Sequence, residues 1–213
     1  MPRTILLFEF ALNDIIEHSL LSSENSLISI ESINMTENAE WNKAITYTNF
    51  VKNARENIEL MKARHDGLQL NETDLDTLRS IQNNIKILVI GTERCNDTAG
   101  NIPILAKMES ASTKIQLRIL DADTNVEYHQ HYKVNGKRKT PVVIFLNNEF
   151  EELCRWVERP NAAYKIINEA TVQSVEDRKA ELKKIYSDPE IQRQSLNEFL
   201  RLVLRADFIL GRK

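Results

Sequence analysis

At 213 residues, 42% hydrophobic and 28% charged, the chain is long enough to bury a sizeable core, and one domain with decorations is expected rather than two independent ones. A net charge of −3 gives no reason to expect nucleic acid or a membrane surface as the main partner. No run of about 18 apolar residues occurs, which argues against a membrane-spanning helix, and the two cysteines, Cys95 and Cys154, are too few for a disulfide framework.

In chain order, residues 4–21 carry Ile5, Leu6, Phe8, Leu12, Ile15, Ile16 and Leu20 in an approximate helical stripe. Glu9, Asp14 and Glu17 interrupt the stripe and no small-residue cleavage site follows, so it does not read as an export signal; the expected location is cytoplasmic. A polar stretch over 22–38 predicts a break. Trp41, Ala44, Ile45, Thr48, Val51, Ala54, Ile58 and Met61 then recur at three- and four-residue steps and predict one long helix that Gly67 ends. Asp74, Leu75, Leu78 and Ile81 predict a short third helix with Asn71 as its N-cap.

At Ile85 the period changes. Residues 85–90 are β-branched and almost wholly apolar, as a strand covered on both faces should be. A helix follows to about Ser110, then a second strand over 115–120 that ends at Asp121, then a short helix over 125–132 and a turn at Asn135-Gly136. Residues 141–146 form the next strand, and Asn147-Asn148 turn it into a hairpin with 150–157. Helices are predicted near 161–170 and over 175–210, the latter broken at Asp188-Pro189. Parallel strands joined by helices and followed by a hairpin predict an α/β protein with a mixed central sheet and helices on both faces. The domain reading is a helical N-terminal extension over 1–83, a sheet domain over 84–171 and a helical C-terminal extension over 172–213. The first 83 residues are net acidic and the remainder is mildly basic.

Cys95 directly follows the first strand and opens the next helix. Unpaired N–H groups and the positive helix end at that point favour thiolate over thiol, and Arg94 adds to this. Glu93 and Asp97 oppose it by like charge. The basic run Lys137-Arg138-Lys139 is either a holder of carboxylates or a solvated loop. Asp121, Asp123, His129 and His131 do not have metal-ligand spacing, since His129 and His131 point to opposite sides of a helix; no metal and no resident cofactor are expected. Trp41 and Trp156 read as packing residues, and Cys154 as a small semi-buried side chain on an edge strand away from Cys95.

A cysteine at a strand-to-helix junction in this element order, with Pro103 eight residues later and Thr140-Pro141 opening the third strand, resembles the thioredoxin fold. With Asn101-Ile102-Pro103, Asn135-Gly136 and Arg155-Trp156, residues 84–171 are similar to a bacterial thioredoxin-like family that has a helical N-terminal extension. The resemblance implies a nucleophilic Cys95, a cis Pro141 and a groove in which Thr140 pairs with an extended substrate strand, beside Arg94. It also marks departures. Thr98 stands where the resolving cysteine belongs, Arg94 where tryptophan is usual, and Val89 where thioredoxins carry a buried aspartate. A dithiol cycle needs the resolving thiol. The expected activity is therefore single-thiol exchange with glutathione, as a co-substrate, or with protein thiols and disulfides; the other reading is a non-catalytic binding protein of the same fold. The oligomeric state is not legible.

Overall fold

The strand that reads as buried on both faces lies inside a four-stranded sheet. A computed structural model describes residues 37–171 and 174–212. The helix expected over 4–21 lies outside the described residues, and every strand of the sheet belongs to the unit Glu40–Lys213. Strand β1 (Ile85–Gly91) pairs in parallel with β2 (Ile115–Asp121) and antiparallel with β3 (Val142–Leu146). Strand β4 (Glu152–Val157) closes the far side as a hairpin with β3, so the sheet order is β2-β1-β3-β4. The sheet is mixed, as expected: β1 and β2 are parallel, and β3 runs antiparallel to β1 and to β4.

The expected single helix up to Gly67 is interrupted twice. Residues 40–43 are helical, Ile45 then leaves the helix to form a β-bridge with Ile119 at the edge of β2, and α1 (Tyr47–Asn53) starts only afterwards, capped by the Thr46 side chain. A second break precedes α2 (Ile58–Gly67), where Asn57 adopts φ 56° and its side-chain amide donates to the Glu93 carbonyl. Helix α3 (Glu72–Arg79) begins as predicted, with Asn71 and Asp74 forming a reciprocal capping box.

Helices α4 (Asn96–Ser110), α5 (Val126–Gln130), α6 (Asn161–Glu169), α7 (Val175–Ser187) and α8 (Pro189–Leu210) complete the unit, and the last two part at Asp188 as expected. Alternation along the strands divides the core in two. Ile87, Val89, Val143 and Phe145 face α4, α8 and the helices before β1, where Ile102, Leu105, Leu196 and Phe199 meet them. Leu88, Ile90, Val142 and Ile144 face Trp41, Tyr128 and Tyr132 on the other side. A third cluster, with Ala163, Ile167, Leu182, Ile185 and Tyr186, seats α7 against α6.

Candidate functional site

β1 ends at Gly91 and delivers Cys95 to the first turn of α4. The Cys95 N–H donates to Thr92 O at 3.1 Å and the Cys95 carbonyl accepts from the Ala99 N–H at 3.0 Å, so the residue is the helix N-cap, in extended backbone. Its side chain makes no capping bond. The half-buried thiol instead donates to the Thr140 carbonyl, with Sγ 3.4 Å away. The Thr140–Pro141 peptide bond is cis. Cys95, Thr140 and Pro141 thus stand together, with a carbonyl facing the sulfur, a contact that the thiol makes and a thiolate does not.

Arg94 is paired with a carboxylate. Its guanidinium is ion-paired with Asp123 at 2.6 Å, and the same carboxylate oxygen accepts from Thr92 Oγ1. The Thr92 and Arg94 contacts hold the Asp123 carboxyl below its ordinary range against a burial effect that pushes it up. Of the basic run, Lys139 is turned inward to Glu158 at 3.1 Å, whereas Lys137 and Arg138 are exposed. His129 is buried, and its Nε2 pairs with the Lys139 carbonyl at 2.9 Å, which fixes the loop just before Thr140. Asp121 caps the following turn through Thr124, and no group of three or more metal-ligating side chains occurs among the described residues.

Thr98 is fully buried, and its side chain lies over the end of β1. A Cβ at Gly91 would stand 2.9 Å from Thr98 Cγ2, so only glycine fits there. The Thr98 hydroxyl has no hydrogen-bond partner. Val89 is buried in the sheet, and Cys154 faces α8 from β4, with its thiol directed to the Leu202 carbonyl at 3.7 Å. Burial pushes the Cys154 thiol up to about 11.

Of the buried charged groups around the first turns of α4, the sequence names Asp97 but not Arg64, Glu158 or Arg159. Asp97, which reads as an opposing charge beside the thiol, is 4% exposed. It accepts from Arg159 Nη2 at 2.8 Å and from the Tyr186 hydroxyl at 2.6 Å. Desolvation outweighs both contacts and pushes its carboxyl up to about 6. Arg159, 4% exposed, also donates to Glu158 at 2.6 Å and stacks over Tyr164. Tyr186 comes from α7 and lies flat on Gly100, where a Cβ would stand 2.4 Å from the ring, while its hydroxyl accepts from Asn101 at 3.1 Å. Arg64 from α2 donates to Gly100 O at 3.0 Å and Asp188 O at 3.3 Å, and burial lowers its guanidinium to about 10. Asn96 donates to the Lys179 carbonyl at 2.7 Å. The first two turns of α4 are therefore clasped by α7 and α2. Only the apolar-to-polar mix at Asn96, Asp97 and Asn101, unusual for a buried helix face, hints at this in the sequence.

Solved structures of like fold include the two that follow. A protein of unknown function from Pseudomonas aeruginosa matches at 18% identity and a TM-score of 0.62, over 78% of this chain and 95% of that one. An HIV epitope scaffold matches at 19% identity and a TM-score of 0.59, with the same coverage. No curated protein matches the chain. No helix among the described residues is long and apolar enough to cross a membrane. A family model described as thioredoxin matches residues 44–195, which span β1 to β4, Cys95 and Thr140-Pro141 and reach into α8, and the chain belongs to that family.

Proposed function

We infer that the protein is a single-thiol member of its family, in which Cys95 exchanges with the disulfide of glutathione or of a partner protein. The observation that carries this reading is the half-exposed Cys95 at the N-cap of a 15-residue helix with no second thiol at hand: Thr98 fills the resolving position, and Cys154 is buried against α8. The Cys95 thiolate attacks one sulfur of the disulfide R–S–S–R, forms Cys95–S–S–R and releases the other half as a thiolate. A second, external thiol then attacks the mixed disulfide, returns Cys95 reduced and leaves as the disulfide with R. The electrons come from that external thiol, and a cytoplasmic, reducing location fits the need for one. Arg94, exposed at the rim, and the backbone of Thr140 beside Pro141 would meet the incoming chain.

A second reading, a binding protein of the same fold without catalysis, is favoured by one observation: the sulfur faces a carbonyl while Arg94 is spent on Asp123. Reduction of insulin disulfides separates the family's dithiol cycle from the single-thiol one. The protein is expected to be a poor insulin reductase, and Thr98→Cys, which sets a second thiol one turn along the helix, is expected to gain activity. Strong activity of the unchanged protein would overturn the single-thiol reading.

A further inference from the structure

Glu158 holds the chain on both sides of Thr140. Its carboxylate accepts from Lys139 Nζ at 3.1 Å, and its backbone N–H donates to the Pro141 carbonyl at 2.8 Å. Between those two anchors, Thr140 supplies the carbonyl that receives the Cys95 thiol. From the same carboxylate a path leads to the opposite wall of the site. Glu158 Oε1 accepts from Arg159 Nη2 at 2.6 Å, and that nitrogen also donates to Asp97 Oδ2 at 2.8 Å, two residues beyond Cys95. Lys139, Glu158, Arg159 and Asp97 thus form an alternating chain of charges from the Thr140 loop to the first turn of α4.

Two features mark this as more than a surface ion pair. Glu158 is 8% exposed, and Arg159 and Asp97 are both 4% exposed, so these three members are shielded from solvent and held by packing, with half-buried Lys139 at the outer end. Glu158 also adopts φ 70°, a left-handed backbone that favours glycine, yet the position carries a glutamate whose second oxygen is taken by the Tyr164 hydroxyl at 2.8 Å. Every oxygen of its carboxylate is engaged inside the protein. The side chain therefore does not meet substrate and acts through Thr140.

We propose that Glu158 is the positioning residue of the Cys95 site, setting the Thr140 carbonyl opposite the thiol and tying it to α4 through Arg159 and Asp97. The consequence for disulfide exchange rests on the single-thiol reading; the geometric claim does not. The infrared S–H band of Cys95, isolated as the difference between the full chain and its Cys95→Ser variant, reports the bond to Thr140 directly. Glu158→Gln and Lys139→Met are expected to move that band toward the free-thiol position, and to raise the rate of Cys95 alkylation by iodoacetamide roughly threefold or more as the hydrogen bond is lost. Lys139→Arg, which keeps the cation, is expected to restore both. An unmoved band and an unchanged rate in folded Lys139→Met overturn the proposal, and this variant, which leaves Arg159 paired with Glu158, decides the matter if Glu158→Gln does not fold. Since no disulfide enters the measurement, failure of the protein to take up glutathione would remove the proposed function without touching this result.

Discussion

Replacing Gly100 with alanine sets two effects of opposite sign against each other, and the structure says which wins. In an exposed helix the change would stabilise by about 1 kcal/mol, because glycine is the poorer helix former. Here the new methyl would stand 2.4 Å from two ring carbons of Tyr186, well inside contact distance. Tyr186 is fully buried, and its hydroxyl is bonded to Asp97 and Asn101, so the ring cannot tilt away without breaking those bonds. Overpacking of this kind costs about 1–3 kcal/mol, and a buried polar group left unpaired costs a further ~1–3 kcal/mol. A net loss of about 2 kcal/mol is expected, which for a domain of this size lowers Tm by roughly 4–8 °C. Thermal unfolding followed by circular dichroism measures it. In a Tyr186→Leu background, where the ring is gone, Gly100→Ala is expected to be neutral or stabilising, and the difference between backgrounds isolates the contact. A rise in Tm on Gly100→Ala alone would refute the seating of α7 on the helix that carries Cys95.

Stability should also depend on pH through Asp97. Its carboxyl is raised to about 6 in the folded protein from its ordinary 3.8, so between those values the folded state holds the proton more tightly and stability falls as pH rises. The displacement is worth roughly 3 kcal/mol. Glu158, with a lowered carboxyl, works in the opposite direction, and Arg159, Tyr186 and Glu158 all face Asp97; the component is therefore read as the difference from Asp97→Asn, whose stability relative to the parent should improve by about that amount from pH 4 to pH 7. A pH-independent difference in urea unfolding would contradict it. Cys154, buried with its thiol raised to about 11, should resist alkylation at pH 8 until the protein unfolds; two equally fast thiols in the native state would show that α8 does not cover β4.

Local pattern is a good guide where local physics decides. The apolar run at 85–90, the capping pair Asn71/Asp74 and the break at Asp188-Pro189 are all readable from adjacent residues. The periodic stretch from Trp41 to Met61 is misleading because its breaks are tertiary: Ile45 bonds to Ile119, and Asn57 to Glu93, partners that periodicity does not register. At the site, Cys95, Thr140 and Pro141 are legible as a constellation because the resemblance names their positions. Asp97 is legible as a charge beside the thiol, but its enclosure is not, because the partners that hold it within the protein lie 62 and 89 residues away. Lys139 reads as one of three basic neighbours, but Glu158 draws it inward.

In the proposed function one thiol, Cys95, reacts and no second thiol in the chain answers it. Intact mass after incubation with oxidised glutathione addresses this directly. A single glutathionyl adduct is expected, absent from Cys95→Ser, retained in Cys154→Ser and removed by added reduced thiol. A chain that keeps its unmodified mass while remaining folded would contradict the claim and leave the fold as a binding scaffold.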